Sequence, residues 1–141
     1  MKIGVCLSVF DDKIERFNEL GADYIETNLT QLSEHSFSEI EERQRLLSSL
    51  GVECYSGNCL FPGDIRLTGE GVDMERISKY IEDVFAKAEI LGLKIAVFGS
   101  GRSRSIPEGF PKDKAHDQLK RLLGDIIAPA AEKHGIVCCI E

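Results

Sequence analysis

A chain of 141 residues with 43% apolar and 29% charged side chains can bury one core and is too apolar to stay disordered, so it reads as a single domain over 1–141. Its net charge of −7, with no stripe of Lys and Arg, argues against a nucleic-acid partner, because holding a phosphate backbone requires a basic face. No apolar run approaches the ~18 residues that cross a bilayer, which leaves no membrane partner either.

The opening Met1-Lys-Ile-Gly-Val-Cys-Leu7 is apolar only briefly and meets Asp11 and Asp12 without a small-residue cleavage pattern. It reads as a strand rather than a signal peptide. Ile3, Val5 and Leu7 fall on one side of it, Gly4, Cys6 and Ser8 on the other. The five cysteines (Cys6, Cys54, Cys59, Cys138, Cys139) form no C-x-x-C pair. Together with the lack of a secretory signal they suggest reduced thiols and a cytoplasmic location. A zinc site built from them and His35, His116 or His134 has no recognisable ligand spacing.

After the first strand (Lys2–Ser8), Ile14, Phe17 and Leu20 recur at helical spacing, and Gly21 stops that helix. Asp23–Thr27 is the second strand. Ser36 or Ser38 caps the next helix, whose stripe is Ile40, Leu47 and Leu50, with Gly51 as its stop. Val52–Gly57 is the third strand, followed by a glycine-rich loop to about Val72. Asp73 caps the most regular helix, with Met74, Ile77, Ile81, Val84, Phe85 and Ala88 on one face and Gly92 after it. Lys94–Phe98 is the fourth strand. A second Gly/Ser/Pro-rich loop leads to a helix starting near Lys114, which Pro129 should kink or restart. Gly135 precedes the fifth strand, Ile136–Glu141. His134 falls at a helix C-terminus, where a cation is favoured.

Regular alternation of strand and helix implies right-handed crossovers and a parallel sheet. An open doubly wound sheet and a segment of a (β/α)8 barrel both satisfy it. Length favours the former. The long polar loops after strands three and four, against minimal helix-to-strand turns, favour the latter, because barrel enzymes carry their sites on the loops that follow the strands.

Polar residues gather at those strand ends. Glu141 ends the apolar run Ile-Val-Cys-Cys-Ile and shares a face with Cys139 and Val137. A glutamate there is either a ligand and acid/base group at a barrel mouth or a frayed terminal residue. Gly99-Ser-Gly101-Arg-Ser-Arg104 has the character of an anion-binding turn: Ser100 and Gly101 let backbone approach a ligand, and Arg104 brings forked donors. It also reads as a solvated surface loop, and it is not a dinucleotide motif. Glu26 closes the second strand and Asn58 the third, where each could hold a hydroxyl or simply form a turn.

These segments together resemble the sugar phosphate isomerase/epimerase family of xylose-isomerase-like TIM barrels. The likeness is carried by Ala22-Asp-Tyr-Ile-Glu26, Asn58-Cys-Leu-Phe-Pro62, Val97-Phe-Gly-Ser-Gly101 through Arg104 to Pro107 and Gly109, Ile127-Ala-Pro-Ala-Ala-Glu132, and His134 through Glu141. The resemblance implies an α/β fold made of the first four and a half units of a TIM (β/α)8 barrel. It implies a divalent metal (Mn, Mg, Co or Zn) in a full-length relative, held by two glutamates, an aspartate and a histidine, with Glu141 matching the first glutamate. Glu26, Asn58, Ser100, Gly101 and Arg104 match pocket-lining positions for a sugar or sugar phosphate.

In relatives Glu141 is followed by a Pro-Leu-Asn-type turn and further strands that carry the other ligands. The expectation is therefore the N-terminal part of an isomerase or epimerase, binding no metal and inactive as a fragment. The alternative is a non-catalytic half-barrel that self-associates through open edges or binds a partner. The DNA-repair endonuclease branch of the superfold is disfavoured by net acidity and by the lack of histidine at the strand ends.

Overall fold

A computed structural model describes residues 1–141. Five parallel strands form one open sheet in the order β1-β2-β3-β4-β5: β1 Gly4–Cys6, β2 Tyr24–Asn28, β3 Cys54–Asn58, β4 Ile95–Phe98 and β5 Val137–Ile140. A 3-10 helix, Asp12–Glu19, links β1 to β2. It is followed in chain order by α1 Leu29–Leu32, α2 Phe37–Leu50, α3 Met74–Ile90, α4 Lys112–Leu122 and α5 Ala128–Lys133. This is the repeated strand-helix order expected from the sequence, and sequential strands are neighbours throughout, as in the wall of a (β/α)8 barrel.

The core lies between the outer face of the sheet and the helices. Ile25, Ala96 and Phe98 point outward from β2 and β4 into it, and Ile77, Ile81, Val84, Phe85 and Ala88 of α3 meet them. That spacing of four, three, one and three residues keeps the five side chains on one helical face, and each buried aliphatic or aromatic group contributes about 1.5–3 kcal/mol. Asp73 caps α3 by accepting from Arg76 N. Of the two candidate caps for α2, Ser36 is the one used: it forms a reciprocal capping box with Glu39. Gly51 ends α2 at φ 68°, a left-handed turn that a side chain resists.

Three local features differ from expectation, and a fourth, His134, falls where expected with partners the sequence did not name. β1 is shorter than Lys2–Ser8, because an edge strand has one partner only, although Leu7 N still donates to Glu26 O at 3.0 Å. The four-residue α1, capped by Asn28, is too short to show a period. The helix expected from Lys114 begins at Lys112 and passes through a π-helical turn, Leu123–Ile127, before restarting as α5. Pro129 is the second residue after that turn. It has no N–H for the carbonyl four residues back and its ring crowds that carbonyl, which widens the ladder by one residue. His134 does terminate α5, but its imidazole lies between Glu89 (2.7 Å) and Glu82 (3.2 Å), so it ties the C-terminus of α5 to α3.

Candidate active site

All polar residues singled out from the sequence lie at or near the C-terminal ends of β2 to β5. The structure divides them into two groups. The first is built on β2 and β3. Glu26 Oε1 accepts from Asn58 Nδ2 at 2.9 Å and from Cys6 Sγ at 3.3 Å, and Glu26 Oε2 accepts from Ser56 Oγ at 3.0 Å. Cys6, Glu26, Ser56 and Asn58 therefore share the inner face, the one opposite the helices.

A bulge makes this grouping possible. Ile25 pairs with Cys54, but Glu26 pairs with Ser56, so Tyr55 is an extra residue in β3. Without it Glu26 would face Tyr55, and Ser56 and Asn58 would both be displaced from the carboxylate. Burial is the largest single influence on the Glu26 carboxyl and raises its pKa. The hydrogen bonds from Asn58, Cys6 and Ser56 together outweigh burial and leave it below the ordinary value. The hydrogen bond that Cys6 donates to Glu26 pushes the Cys6 thiol up, and burial and then the negative charge of Glu26 add to that rise.

The second group is built on β4 and β5. Glu141 N donates to Phe98 O at 3.3 Å, which continues the pairing of these strands. The Glu141 carboxylate folds back over Gly99: a Cβ on Gly99 would lie 2.6 Å from Glu141 Oε2. Arg104 Nη2 donates to the Glu141 main-chain oxygen at 2.9 Å, and its guanidinium lies 5.1 Å from the Phe98 ring centre. Arg104 thus holds the end of β5. Ser100, at φ 42°, accepts from Phe61 N at 2.9 Å, and Gly101 is exposed, with open space where a Cβ would stand.

Side chains fasten the two loops that carry these residues to each other. Ser103, fully buried, donates to Pro62 O at 2.8 Å, and Leu67 N donates to Ser103 O at 3.0 Å. Thr68 Oγ1 donates to Ser105 O at 2.8 Å. The Gln118 carboxamide bonds both main-chain groups of Gly69, at 2.9 and 2.8 Å. These bonds join the two glycine-rich loops to each other and to α4. Sequence reasoning missed Cys6 and gave no individual contact to Ser56, or to Gly99 and Ser103 within the turn it singled out. The i, i+2 spacing of Ser56 and Asn58 was the only available hint of a shared face.

As a metal centre the present residues are incomplete. No three of the His, Cys, Asp and Glu side chains converge on one point, and both oxygens of Glu26 are already engaged. Glu141 is a single carboxylate at the strand ends, and a hard divalent cation takes about six or more oxygen ligands.

The fold and these strand-end groups are those of one half of a barrel with its polar residues at the mouth. No protein-family profile matches the chain, and no curated protein matches it. Solved structures do. A D-psicose 3-epimerase from Clostridium cellulolyticum H10, solved with D-tagatose, superposes with a TM-score of 0.80 at 18% identity, over 99% of this chain and 52% of that one. A D-psicose 3-epimerase solved in the presence of D-fructose superposes at 0.75 with 21% identity, over the same shares. The IOLI protein, solved with a bound zinc atom, superposes at 0.58 with 15% identity, over 99% of this chain and 51% of that one. The chain thus has the fold of the xylose-isomerase-like sugar epimerases and spans about half the length of the structures it matches.

Proposed function

We propose that these residues form the N-terminal half of a sugar isomerase or epimerase that moves a proton on a carbon beside a carbonyl. The observation that carries this reading is the Glu141 carboxylate, folded over Gly99 at the strand-end mouth of a half-barrel whose structural neighbours are ketose epimerases. In this reading Glu141 is both a proton-transferring carboxylate and one ligand of a divalent metal (manganese, magnesium, cobalt or zinc) completed by residues beyond these 141. Glu26, Asn58, Ser100, Gly101 and Arg104 border the pocket for a sugar or sugar phosphate, in a cytoplasmic enzyme. Epimerisation needs a proton removed from one face of a carbon and returned to the other, which calls for a second base beside Glu141 from beyond these 141 residues.

The test is the complete gene product that contains this segment, assayed on D-fructose and D-tagatose with each metal. Ketose turnover that falls about 10²–10⁴-fold in Glu141→Gln is the expected result. Turnover unaffected by that change, or none on any ketose or aldose, would remove Glu141 from the chemistry.

A second reading is favoured by the edges of the sheet. β1 pairs with β2 only and β5 with β4 only, and Ile3 (55% exposed), Val137 (63%) and Ile140 (62%) lie uncovered on them. Unpaired parallel edges bearing apolar side chains are templates for another chain. We propose that the isolated 141 residues pair β5 of one copy with β1 of a second. Light scattering should then give a dimer or larger species that Val137→Lys disperses. A monodisperse monomer of the unaltered chain would contradict it.

A further inference from the structure

The network on β2 and β3 has a chemical consequence for Asn58. A carboxylate has no proton to donate, so only the amino group of a carboxamide can face it. The 2.9 Å contact with Glu26 Oε1 therefore fixes which end of Asn58 is which, and the weaker approach of Nδ2 to Cys6 Sγ, at 3.7 Å, agrees with it. The carboxamide oxygen then points the other way. Asn58 makes no other side-chain hydrogen bond within the chain, and its Oδ1 is not among the buried polar atoms lacking a partner, so it reaches solvent on the inner face.

Glu26 stands in the opposite situation. Its two oxygens accept from three groups on two neighbouring strands, and Ser56 holds it from the far side. The Tyr55 bulge, which costs the sheet one regular pairing, brings Ser56 and Asn58 to this carboxylate together.

We propose that Glu26 is a positioning residue that locks the Asn58 carboxamide with its amino group against the sheet, so that Asn58 Oδ1 is the acceptor presented to a donating hydroxyl of a polyhydroxylated ligand. The identity of the ligand rests on the reading given under Proposed function, whereas the locking does not. A ligand hydroxyl meeting this site must donate. A methyl ether or a deoxy carbon at that position leaves Oδ1 unpaired and is rejected.

The experiment is the side-chain amide spectrum of the ¹⁵N-labelled 141-residue chain. On acidification the Asn58 amino protons should shift with one midpoint, shared with the Glu26 carboxyl ¹³C signal. Glu26→Gln should abolish that shift. Asn58 signals that ignore the Glu26 titration in the unaltered protein would overturn the locking, and this measurement needs no variant to fold. D-Fructose, added to the unaltered chain, should then move the Asn58 amino signals and leave the Glu26 carboxyl in place, with an apparent affinity about tenfold weaker in Glu26→Gln. A fructose response at the Glu26 carboxyl that bypasses Asn58 would make Glu26 a direct contact and overturn the positioning role. No response to fructose, with Asn58 still tracking Glu26, would support the locking and count against the sugar reading.

Discussion

Replacing Gly99 with Ala separates the placement of Glu141 from the stability of the fold. The added Cβ would meet Glu141 Oε2 at 2.6 Å, so the oxygen must retreat by roughly 0.5–1 Å to reach ordinary van der Waals separation. Glu141 is exposed, and its carboxylate is the free end of a flexible side chain, so the retreat disturbs no packing. Gly99 is not among the residues with positive φ, so alanine adds no backbone strain. The stability change should therefore stay within about 0.5 kcal/mol. A reacting carboxylate misplaced by about 1 Å, by contrast, can lose on the order of 10²-fold in rate. The assay pairs thermal unfolding with ketose turnover, both on the complete gene product. Unchanged turnover would refute the argument, and so would a midpoint lowered by many degrees, because then the loss would report unfolding rather than placement.

The remaining predictions are independent of one another. Ser103→Ala removes the donor to Pro62 O within a fully buried contact and should cost about 1–3 kcal/mol by chemical denaturation, with the two mouth loops exchanging amide hydrogens faster. Ser36→Ala breaks the capping box of α2 and should cost about 0.5–2 kcal/mol in the same assay. Hydrogen bonds from the Ser36 side chain and backbone, then from His35, hold Glu39 down at about 2. Its folded pKa lies below its unfolded one, so its contribution is complete above the ordinary carboxylate range. It is lost as pH falls toward about 2, which a ¹³C titration of Glu39 would follow. Arg104→Ala in the complete protein should impair free and phosphorylated ketoses alike, by about tenfold, because Arg104 holds the end of β5. A KM effect confined to phosphorylated sugars would instead make it a phosphate ligand.

What could be read from the sequence was local. The α3 stripe from Ile77 to Ala88, the Asp73 and Ser36 caps and the glycine stops each depend on residues within about two turns of one another and were recoverable, whereas Met74, expected on the stripe, is exposed at the first turn. Pro129 marked a disturbance but not its kind, since a π-helical turn and a kink both relieve the same clash. The Tyr55 bulge was invisible, because it exists only in the pairing of β3 with β2.

The network it builds was invisible for the same reason. Glu26 meets Cys6 across 20 positions and Asn58 across 32, and nothing in either segment announces the other. Lys87 shows the limit from another side. It lies among the apolar positions of α3, buried with Asp83 at 2.6 Å and above the Phe37 ring at 5.2 Å, where a periodicity argument would place it in solvent.

The proton-transfer reading is tested most directly by running the complete gene product in heavy water with D-fructose and manganese. The account expects an epimer or aldose carrying solvent deuterium on the carbon where the proton was exchanged, with no label entering when Glu141 is glutamine. Conversion without deuterium in the product, or no conversion with any divalent metal, would contradict it.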